Sequence, residues 1–306
     1  MNKKFPLLTI GMPVYNGEKH LRQAVDSLLS QDYRNFDLLI LDNSSEDGTK
    51  KICLHYARND RRIRYYRNKK NLGPTYNFNR AFSLSSGKYF MWACHDDYWK
   101  QSYVRSCLNG FKQSKNIILV GSECQLIDSE TEKLVFIDKG LSTLMIGPAQ
   151  RFKRYKETIH SGTHIGGIFY GIYLRRTLQK AMPIKRVIAA DQLLLAELAL
   201  TGNFFTVSQP LMVKRYGGVS GSYAKTAQVI GVKNRFLISN PLMVRELLLQ
   251  KIIFQSKKLK LPEKIRLACW SLGHYLKQTK LLYLGMRFNK FINQNLIKNK
   301  VFSALR

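Results

Sequence analysis

The chain has 306 residues, of which 45% are hydrophobic and 11% aromatic, a composition that excludes an intrinsically disordered protein. Fifty Lys and Arg against twenty Asp and Glu give a formal net charge of +30. Such a charge favours anionic partners, namely nucleic acid, an anionic membrane surface or phosphorylated substrates.

Strands and helices alternate along the first hundred residues. Apolar runs predict four strands, at residues 7–12, 36–42, 63–67 and 88–93. Helical spacing or turn signals predict helices between them, at residues 21–29, at 50–57 and within 68–87. This alternation predicts an α/β fold with a mixed, mostly parallel sheet flanked by helices.

Polar clusters follow three of these strands, at Tyr15–Glu18, Asp42–Asp47 and Asp96–Asp97. In open α/β sheets, ligands bind at the carboxyl ends of the strands, so we expect these clusters to line one site. No GxGxxG follows the first strand and no GxxxxGK[ST] occurs. The main sequence evidence for a dinucleotide-binding site or a P-loop is therefore missing.

The pattern is mixed from residue 116 to residue 218. It predicts strands at 116–128, 132–138 and 203–218, a glycine-rich turn leading into a helix over 164–181, and a helix over 189–202. Beyond residue 240 the chain is helical and basic in character. Two segments begin at Pro241 and Pro262 with apolar stripes, and residues 241–306 hold fourteen Lys and Arg against two Glu.

The pair Asp96 and Asp97 directly follows an apolar run in a chain that is poor in acids. Carboxylate oxygens are the ligands that Mg²⁺ prefers, usually together with substrate phosphates. A solvated turn or a helix cap explains many such pairs equally well. The aromatic and apolar neighbours favour a functional pair here.

Three stretches, at residues 7–49, 68–99 and 189–205, resemble the inverting glycosyltransferases of family 2, which have the Rossmann-like GT-A fold of nucleotide-diphospho-sugar transferases. The resemblance covers roughly residues 7–220. It implies a GT-A catalytic domain over residues 1–240, and it leaves residues 241–306 as a basic helical C-terminal extension.

The resemblance implies a nucleotide-sugar site. Its first loop would contain Pro13, Val14, Tyr15 and Glu18, although Glu18 is also a typical acid at the beginning of a helix. Asp42 would accept a hydrogen bond from the nucleobase, or it caps a helix. Asn71 and Gly73 would lie under the nucleotide, and Gly73 before Pro74 is also typical of a tight turn.

The metal motif of the family reads Asp-x-Asp-Asp, whereas this chain reads Cys94-His95-Asp96-Asp97. The resemblance implies that Asp96 binds Mg²⁺ or Mn²⁺, with Asp97 beside it for metal or sugar contacts. His95 is left unassigned. The first acid of the motif is missing, so the diphosphate and waters would complete the coordination.

Asp191 resembles the catalytic base of the family, which takes a proton from the acceptor hydroxyl, and an ordinary helix N-cap is the alternative. Arg215 and Tyr216, with the loop at residues 217–225, would close over the diphosphate, because Arg suits phosphate oxygens.

These features predict the transfer of one sugar from a nucleotide-diphosphate sugar to a saccharide or lipid-linked acceptor with inversion, in cell-surface polysaccharide or lipopolysaccharide synthesis. The basic tail either contacts an anionic membrane or forms a solvated cap. No specific nucleic acid is expected. A basic nucleic-acid-binding protein and a non-catalytic nucleotide-sugar binder are the alternatives.

The cysteines and apolar runs predict the compartment. The five cysteines show neither a CxxC spacing nor a zinc pattern, which is typical of reduced thiols. No stretch reaches the ~18 apolar residues of a membrane span, and the apolar run before Pro13 is too short for a signal peptide. We expect a cytoplasmic protein and leave open a peripheral position on the inner face of the plasma membrane.

Overall fold

The structure is a computed structural model that describes residues 7–160, 166–216, 223–231, 234 and 238–280. The chain forms two compact units, Met1–Arg245 and Glu246–Arg306. The first unit contains the sheet, and the described part of the second is helical.

The strands, in chain order, are β1 (Leu8–Val14), β2 (Phe36–Asp42), β3 (Ile63–Arg67), β4 (Tyr89–Trp92), β5 (Tyr98–Trp99), β6 (Ile117–Asp128), β7 (Leu134–Asp138), β8 (Ile172–Leu174) and β9 (Asn203–Tyr216). The helices are α1 (Leu21–Leu29), α2 (Thr49–Asn59), α3 (Pro74–Ser83), α4 (Tyr103–Gly110), α5 (Pro148–His160), α6 (Gly166–Phe169), α7 (Arg175–Leu178), α8 (Ala190–Thr201), α9 (Tyr223–Ile230) and α10 (Pro241–Gln255). Residues 261–280 are also helical.

Within the described residues, the strands form one sheet in the order β3-β2-β1-β4-β8-β6-β9-β5, and β7 pairs with β6. The first four strands are parallel to one another. Strand β8 is antiparallel to both β4 and β6, so β6 and its parallel partner β9 run in the direction of the first four. The predicted mixed, mostly parallel sheet is therefore confirmed.

The central strands are buried on both faces. Every residue of β1 and β2 is buried, as expected for parallel strands that helices cover on both sides. The apolar residues of α1 at Leu21, Ala24, Val25 and Leu28 are buried as well. The predicted helix over 21–29 therefore packs through the face that its periodicity indicates.

Strand β1 continues past Pro13, where we expected it to end. The Gly11 carbonyl accepts the Ala93 N–H at the end of the β4 pairing, and Pro13 is the next residue that faces the same side. No ladder hydrogen bond is lost there, because the pairing with β4 stops at Gly11 and Trp92. Proline is tolerated at such a position.

The predicted helix over residues 164–181 is wrong. The described part of this segment forms the one-turn helices α6 and α7, with the short strand β8 between them. Ile172 and Tyr173 of β8 are buried between β4 and β6. A three-residue strand is too short to show alternation, so tertiary pairing decides its conformation.

The second unit contains a buried polar contact. The Glu246 carboxylate, which is 4% exposed, accepts hydrogen bonds from Ser271 Oγ at 2.7 Å and Gln250 Nε2 at 2.6 Å. The hydrogen bond between Glu246 and Ser271 links α10 to the helix at residues 261–280. Among the described residues, no helix combines the length and apolar character that crossing a membrane requires.

Candidate active site

The loops that follow β1 and β2 are joined by hydrogen bonds. The Gly17 N–H donates to Thr49 Oγ1 over 2.8 Å, and the Gly48 N–H donates to Glu18 Oε2 over 2.9 Å. Glu18 therefore satisfies a free N–H at the beginning of α2, not at its own helix. This contact fixes the position of the first loop.

The loop that follows β4 reaches the same edge of the sheet. A Cβ atom on Gly17 would lie 2.6 Å from Cδ2 of His95, so the imidazole packs directly against the glycine. A larger residue at position 17 would displace His95. The polar clusters after β1, β2 and β4 therefore meet at one edge, as the carboxyl ends of parallel strands do.

Asp42 is fully buried and its carboxylate already has three partners. It accepts the Ser45 N–H at 2.8 Å and the Tyr65 hydroxyl at 2.7 Å, and it forms an ion pair with Arg67. No part of this carboxylate is exposed, so the base contact that the resemblance implies requires a side chain that covers it to move. Arg67 is the more exposed partner of this ion pair: 30% of its side chain is accessible, against none of the Asp42 side chain.

Asn71 and Gly73 shape the loop that leads into α3. Asn71 Oδ1 accepts hydrogen bonds from Asn43 Nδ2 at 2.7 Å and from the Gly73 N–H at 2.9 Å. Gly73 has φ of +81° and ψ of 161°, a conformation that is essentially restricted to glycine. It directly precedes Pro74, the first residue of α3.

Cys94, Asp96 and Asp97 form a cluster of possible metal ligands. One ligand atom from each lies within 4.8 Å of the others. Asp97 is 1% exposed, its Oδ1 accepts the Arg215 N–H at 3.1 Å, and no described residue hydrogen-bonds to its Oδ2. The positive charge nearest to Oδ2 is the Lys214 ammonium, 3.6 Å away, which is beyond hydrogen-bond distance. The carboxylates of Asp96 and Asp97 are ligands that suit a divalent cation.

Lys214 is a residue of the cluster that sequence reasoning missed. Strand β5 pairs antiparallel with β9, with Tyr98 opposite Val213, so the residue before Tyr98 meets the residue after Val213. Lys214 Nζ accordingly lies 3.6 Å from Asp97 Oδ2, and it also lies 4.4 Å from the centre of the Tyr170 ring. The sequence shows only a lysine that follows the apolar residues Leu211–Val213 and precedes Arg215.

Burial and charge act on Asp97 in opposite directions. Burial raises the pKa of Asp97 above its usual value and the negative charge of Asp96 raises it further, whereas the positive charge of Lys214 opposes both. The pKa of Lys214 is raised by Asp97 although burial lowers it. The two side chains therefore stabilise each other's charged forms.

Arg215 and Tyr216 are the last two residues of β9, within the predicted strand over 203–218, and are therefore not part of a loop. The buried guanidinium of Arg215 donates to the Asp96 carbonyl, to Gln23 Oε1 at 2.8 Å and to Glu132 Oε1 at 2.7 Å. Arg215 therefore holds the backbone of the acid pair. Residues 217–222 of the predicted closing loop lie outside the described residues.

Asp191 lies in the first turn of α8, as predicted. The Tyr155 hydroxyl donates to the Gln192 carbonyl at 2.7 Å and holds this turn against α5. Asp191 is accessible to solvent, yet protein atoms crowd around it, and this loss of water raises the pKa of Asp191. The positive charges of Lys214 and Arg245 lower the same pKa.

Lys214 connects the two acidic groups, because its charge lowers the pKa of both Asp97 and Asp191. Both carboxylates are therefore affected by the same positive charge, which lies 3.6 Å from Asp97 Oδ2. The arrangement combines a possible cation site, a fixed ammonium group and an accessible carboxylate of raised pKa.

The sequence model described as glycosyl transferase family 2 matches residues 9–177. An uncharacterised glycosyltransferase of Rickettsia typhi is 28% identical over 174 residues, which are 56% of this chain and 51% of that protein. Glycosyltransferase GlyA of Streptococcus pneumoniae is 30% identical over 123 residues, which are 40% of this chain and 18% of that protein. The chain thus spans about half or less of the length of these relatives.

Two solved structures are similar in fold. S. aureus TarS 1–349 in complex with UDP-GlcNAc has a TM-score of 0.64 and 16% identity, with 87% of this chain and 71% of that chain covered. The mannosyltransferase PcManGT from Pyrobaculum calidifontis in complex with GDP-Man and Mn²⁺ has a TM-score of 0.52 and 16% identity, with 94% and 81% covered. The chain therefore has the GT-A fold that was predicted.

Proposed function

Because the chain belongs to glycosyltransferase family 2, we propose that it transfers one sugar from a nucleotide-diphosphate sugar to a saccharide or lipid-linked acceptor with inversion. The observation that carries this proposal is the cluster of Cys94, Asp96 and Asp97 at the edge of the sheet where the loops after β1, β2 and β4 meet. The structures of TarS with UDP-GlcNAc and PcManGT with GDP-Man support a nucleotide-sugar donor.

Asp191 acts as the base in this proposal. It takes the proton of the acceptor hydroxyl while that oxygen forms the new bond to the anomeric carbon of the donor. The bond from the anomeric carbon to the diphosphate breaks, and its electron pair leaves with the nucleotide. The raised pKa of Asp191 supports this role, because a base works best with a pKa closer to the working pH.

Asp96 and Asp97, with Cys94 beside them, would hold Mg²⁺ or Mn²⁺. A cation bound there supplies positive charge that stabilises the departing diphosphate. Lys214 adds a fixed charge at the same place, and that charge favours the ionised form of Asp97. Arg215 positions the pair through the Asp96 carbonyl.

The nucleotide would lie along the loops after β1 and β2. In this proposal the backbone of Pro13 and Val14, with Tyr15 and Glu18, borders the base and ribose, above Asn71 and Gly73. Tyr15 is 40% exposed and is free to contact a ligand. Asp42 reads the base once Arg67 has moved away from its carboxylate.

Residues 1–240 would then carry catalysis, and residues 241–306 would be the basic extension. A saccharide or lipid-linked acceptor fits a role in cell-surface polysaccharide or lipopolysaccharide synthesis. A lipid-linked acceptor also requires that the protein reach a membrane surface. The charge of residues 241–306, with fourteen Lys and Arg against two Glu, supports that location.

The test starts with a thermal-shift screen of the full chain against UDP-GlcNAc, GDP-Man and related donors with Mg²⁺ or Mn²⁺, since a ligand that binds the folded state raises Tm. With the best donor, Asp191→Asn should lower transfer on the order of 10²-fold or more and leave the donor-induced Tm shift intact. Asp96→Ala should abolish metal-dependent donor turnover.

Glu197→Gln is the matched control for Asp191→Asn, because Glu197 lies on the same helix and has no assigned role. It should transfer sugar at the rate of the unaltered protein. Full transfer by Asp191→Asn would remove the base from the proposal. A chain that binds a donor but never turns it over would instead be the non-catalytic binder.

A further inference from the structure

The helix at residues 261–280 has two apolar faces. One face is buried and includes Leu267, and the buried Ala268 lies at the border between the two faces. The other face exposes four large aliphatic side chains, which are 47% to 63% accessible: Leu261, Ile265, Leu272 and Leu276. At about 100° per residue these four side chains fall within about 60° of one another, so they form one continuous stripe, here named the exposed stripe.

The exposed stripe is long and includes the exposed thiol of Cys269. From Leu261 to Leu276 it extends about 22 Å along the helix. Isolated exposed leucines are ordinary on protein surfaces, but contiguous apolar patches mark interaction sites. In the same unit, Leu247 and Phe254 of α10 are also about half exposed, at 58% and 48%.

Basic side chains accompany the stripe. Arg266, Lys277 and Lys280 are exposed, and their helical positions lie along one flank of it. Residues 241–306 contain fourteen Lys and Arg against two Glu. A second copy of the chain would bring like charges together across this face, whereas an anionic surface would complement them.

We propose that the exposed stripe docks in the plane of an anionic membrane, with its aliphatic side chains at the acyl boundary and Arg266, Lys277 and Lys280 on the headgroups. An apolar face with basic residues beside it is the arrangement of interfacial helices. In this proposal the exposed stripe is the surface that brings the chain to a membrane. The link to a lipid-linked acceptor rests on the proposed function, whereas the docking itself does not.

Co-sedimentation of the full chain with vesicles tests the docking. The unaltered chain should bind vesicles that contain phosphatidylglycerol and should bind pure phosphatidylcholine vesicles far more weakly. The double variant Leu272→Ser/Leu276→Ser should lose on the order of tenfold in partitioning, because it removes apolar area and no charge. The double variant Lys277→Gln/Lys280→Gln should also lose on the order of tenfold in partitioning to anionic vesicles, and this loss should appear only at low salt.

Leu134→Ser/Val135→Ser is the matched control, because these side chains of β7 are 55% and 51% exposed and belong to the first unit. It should bind anionic vesicles as the unaltered chain does. A polarity-sensitive fluorophore on Cys269 should shift its emission to the blue on anionic vesicles, since this thiol lies in the stripe.

Three results would overturn the proposal: equal binding to neutral vesicles, full binding by Leu272→Ser/Leu276→Ser, or a label on Cys269 that keeps its aqueous emission. Self-association that the serine variants abolish would assign the stripe to contact between copies. Donor turnover in solution, measured on the same variants, should stay unchanged. That measurement separates failure of docking from failure of the proposed transfer reaction.

Discussion

Asp97 and Asp191 are two carboxylates whose pKa is raised by burial, but their surroundings differ. Asp97 is enclosed and ion-paired with Lys214, whereas Asp191 is accessible to solvent. An enclosed carboxylate beside a possible cation suits charge stabilisation. An accessible carboxylate of raised pKa suits proton transfer. When two carboxylates of one site have such different surroundings, the surroundings indicate which role each one has.

The pH dependence of transfer should reflect the ionisation of both Asp97 and Asp191, and a variant of Arg245 separates the two, because the charge of Arg245 lowers the pKa of Asp191. The base must be ionised, so kcat/KM should rise with pH through the raised pKa of Asp191, with a midpoint above the ordinary value of about 3.9. Arg245→Gln removes a positive charge that lowers this pKa, so it should move the midpoint to higher pH. Kinetic pH profiles of both proteins provide the measurement, and a midpoint at or below 3.9 would contradict the assignment.

Sequence reasoning found those site residues whose signal is local. Asp96 and Asp97 stand out because two acids directly follow an apolar strand. Lys214 gives no such signal, because its role depends on pairing between β5 and β9, more than a hundred residues apart. Two partners of Asp42, Tyr65 and Arg67, were also not predictable from the sequence, since they come from the neighbouring strand β3.

Among the elements, the long periodic ones were predictable and the short ones were not. The apolar runs of β1 and β2 and the periodicity of α1 indicate their buried faces directly. Strand β8 has three residues, which are too few to show the alternation that identifies a strand. It forms because the gap between β4 and β6 offers two edges to pair with.

The pairing of β5 with β9 has an energetic consequence for Lys214. Lys214→Met would leave Asp97 buried without its cation, which should lower the free energy of unfolding by about 3 kcal/mol. Adding Asp97→Asn should recover part of this loss, because the uncompensated charge is then gone. Urea unfolding of the single and double variants measures both effects.

Lys139→Met is the control for Lys214→Met. Lys139 Nζ lies 3.1 Å from Glu123 Oε2, but 71% of the lysine side chain is exposed. Exposed pairs contribute little, so this variant should lose less than about 1 kcal/mol. If both variants lost the same free energy of unfolding, the burial of Asp97 would not be what makes its ion pair with Lys214 important for stability.

At the scale of the whole molecule, alternation of elements predicted the class of fold because neighbouring parallel strands follow one another along the chain. The order of β8, β6, β9 and β5 was not predictable, since those strands pair across long stretches of sequence. The boundary between residues 240 and 241 stays a prediction. Composition alone indicated the charge of the chain.

The net charge of +30 leads to a prediction about polyanions. The chain should bind duplex DNA and heparin without sequence preference, because phosphate and sulfate contacts need only positive charge. If about six phosphates are neutralised, the affinity should fall roughly 10³-fold between 50 and 200 mM salt. Fluorescence anisotropy with two unrelated duplexes over this range of salt gives the measurement.

The comparison between the two duplexes distinguishes a charge effect from a recognition function. Charge alone predicts equal affinities and equal salt slopes for both, because counterion release is independent of base sequence. Base contacts would add a difference of about 1–3 kcal/mol for each base pair that is read. A duplex preference that persists at high salt, without turnover of any nucleotide sugar, would favour the nucleic-acid-binding alternative over transfer.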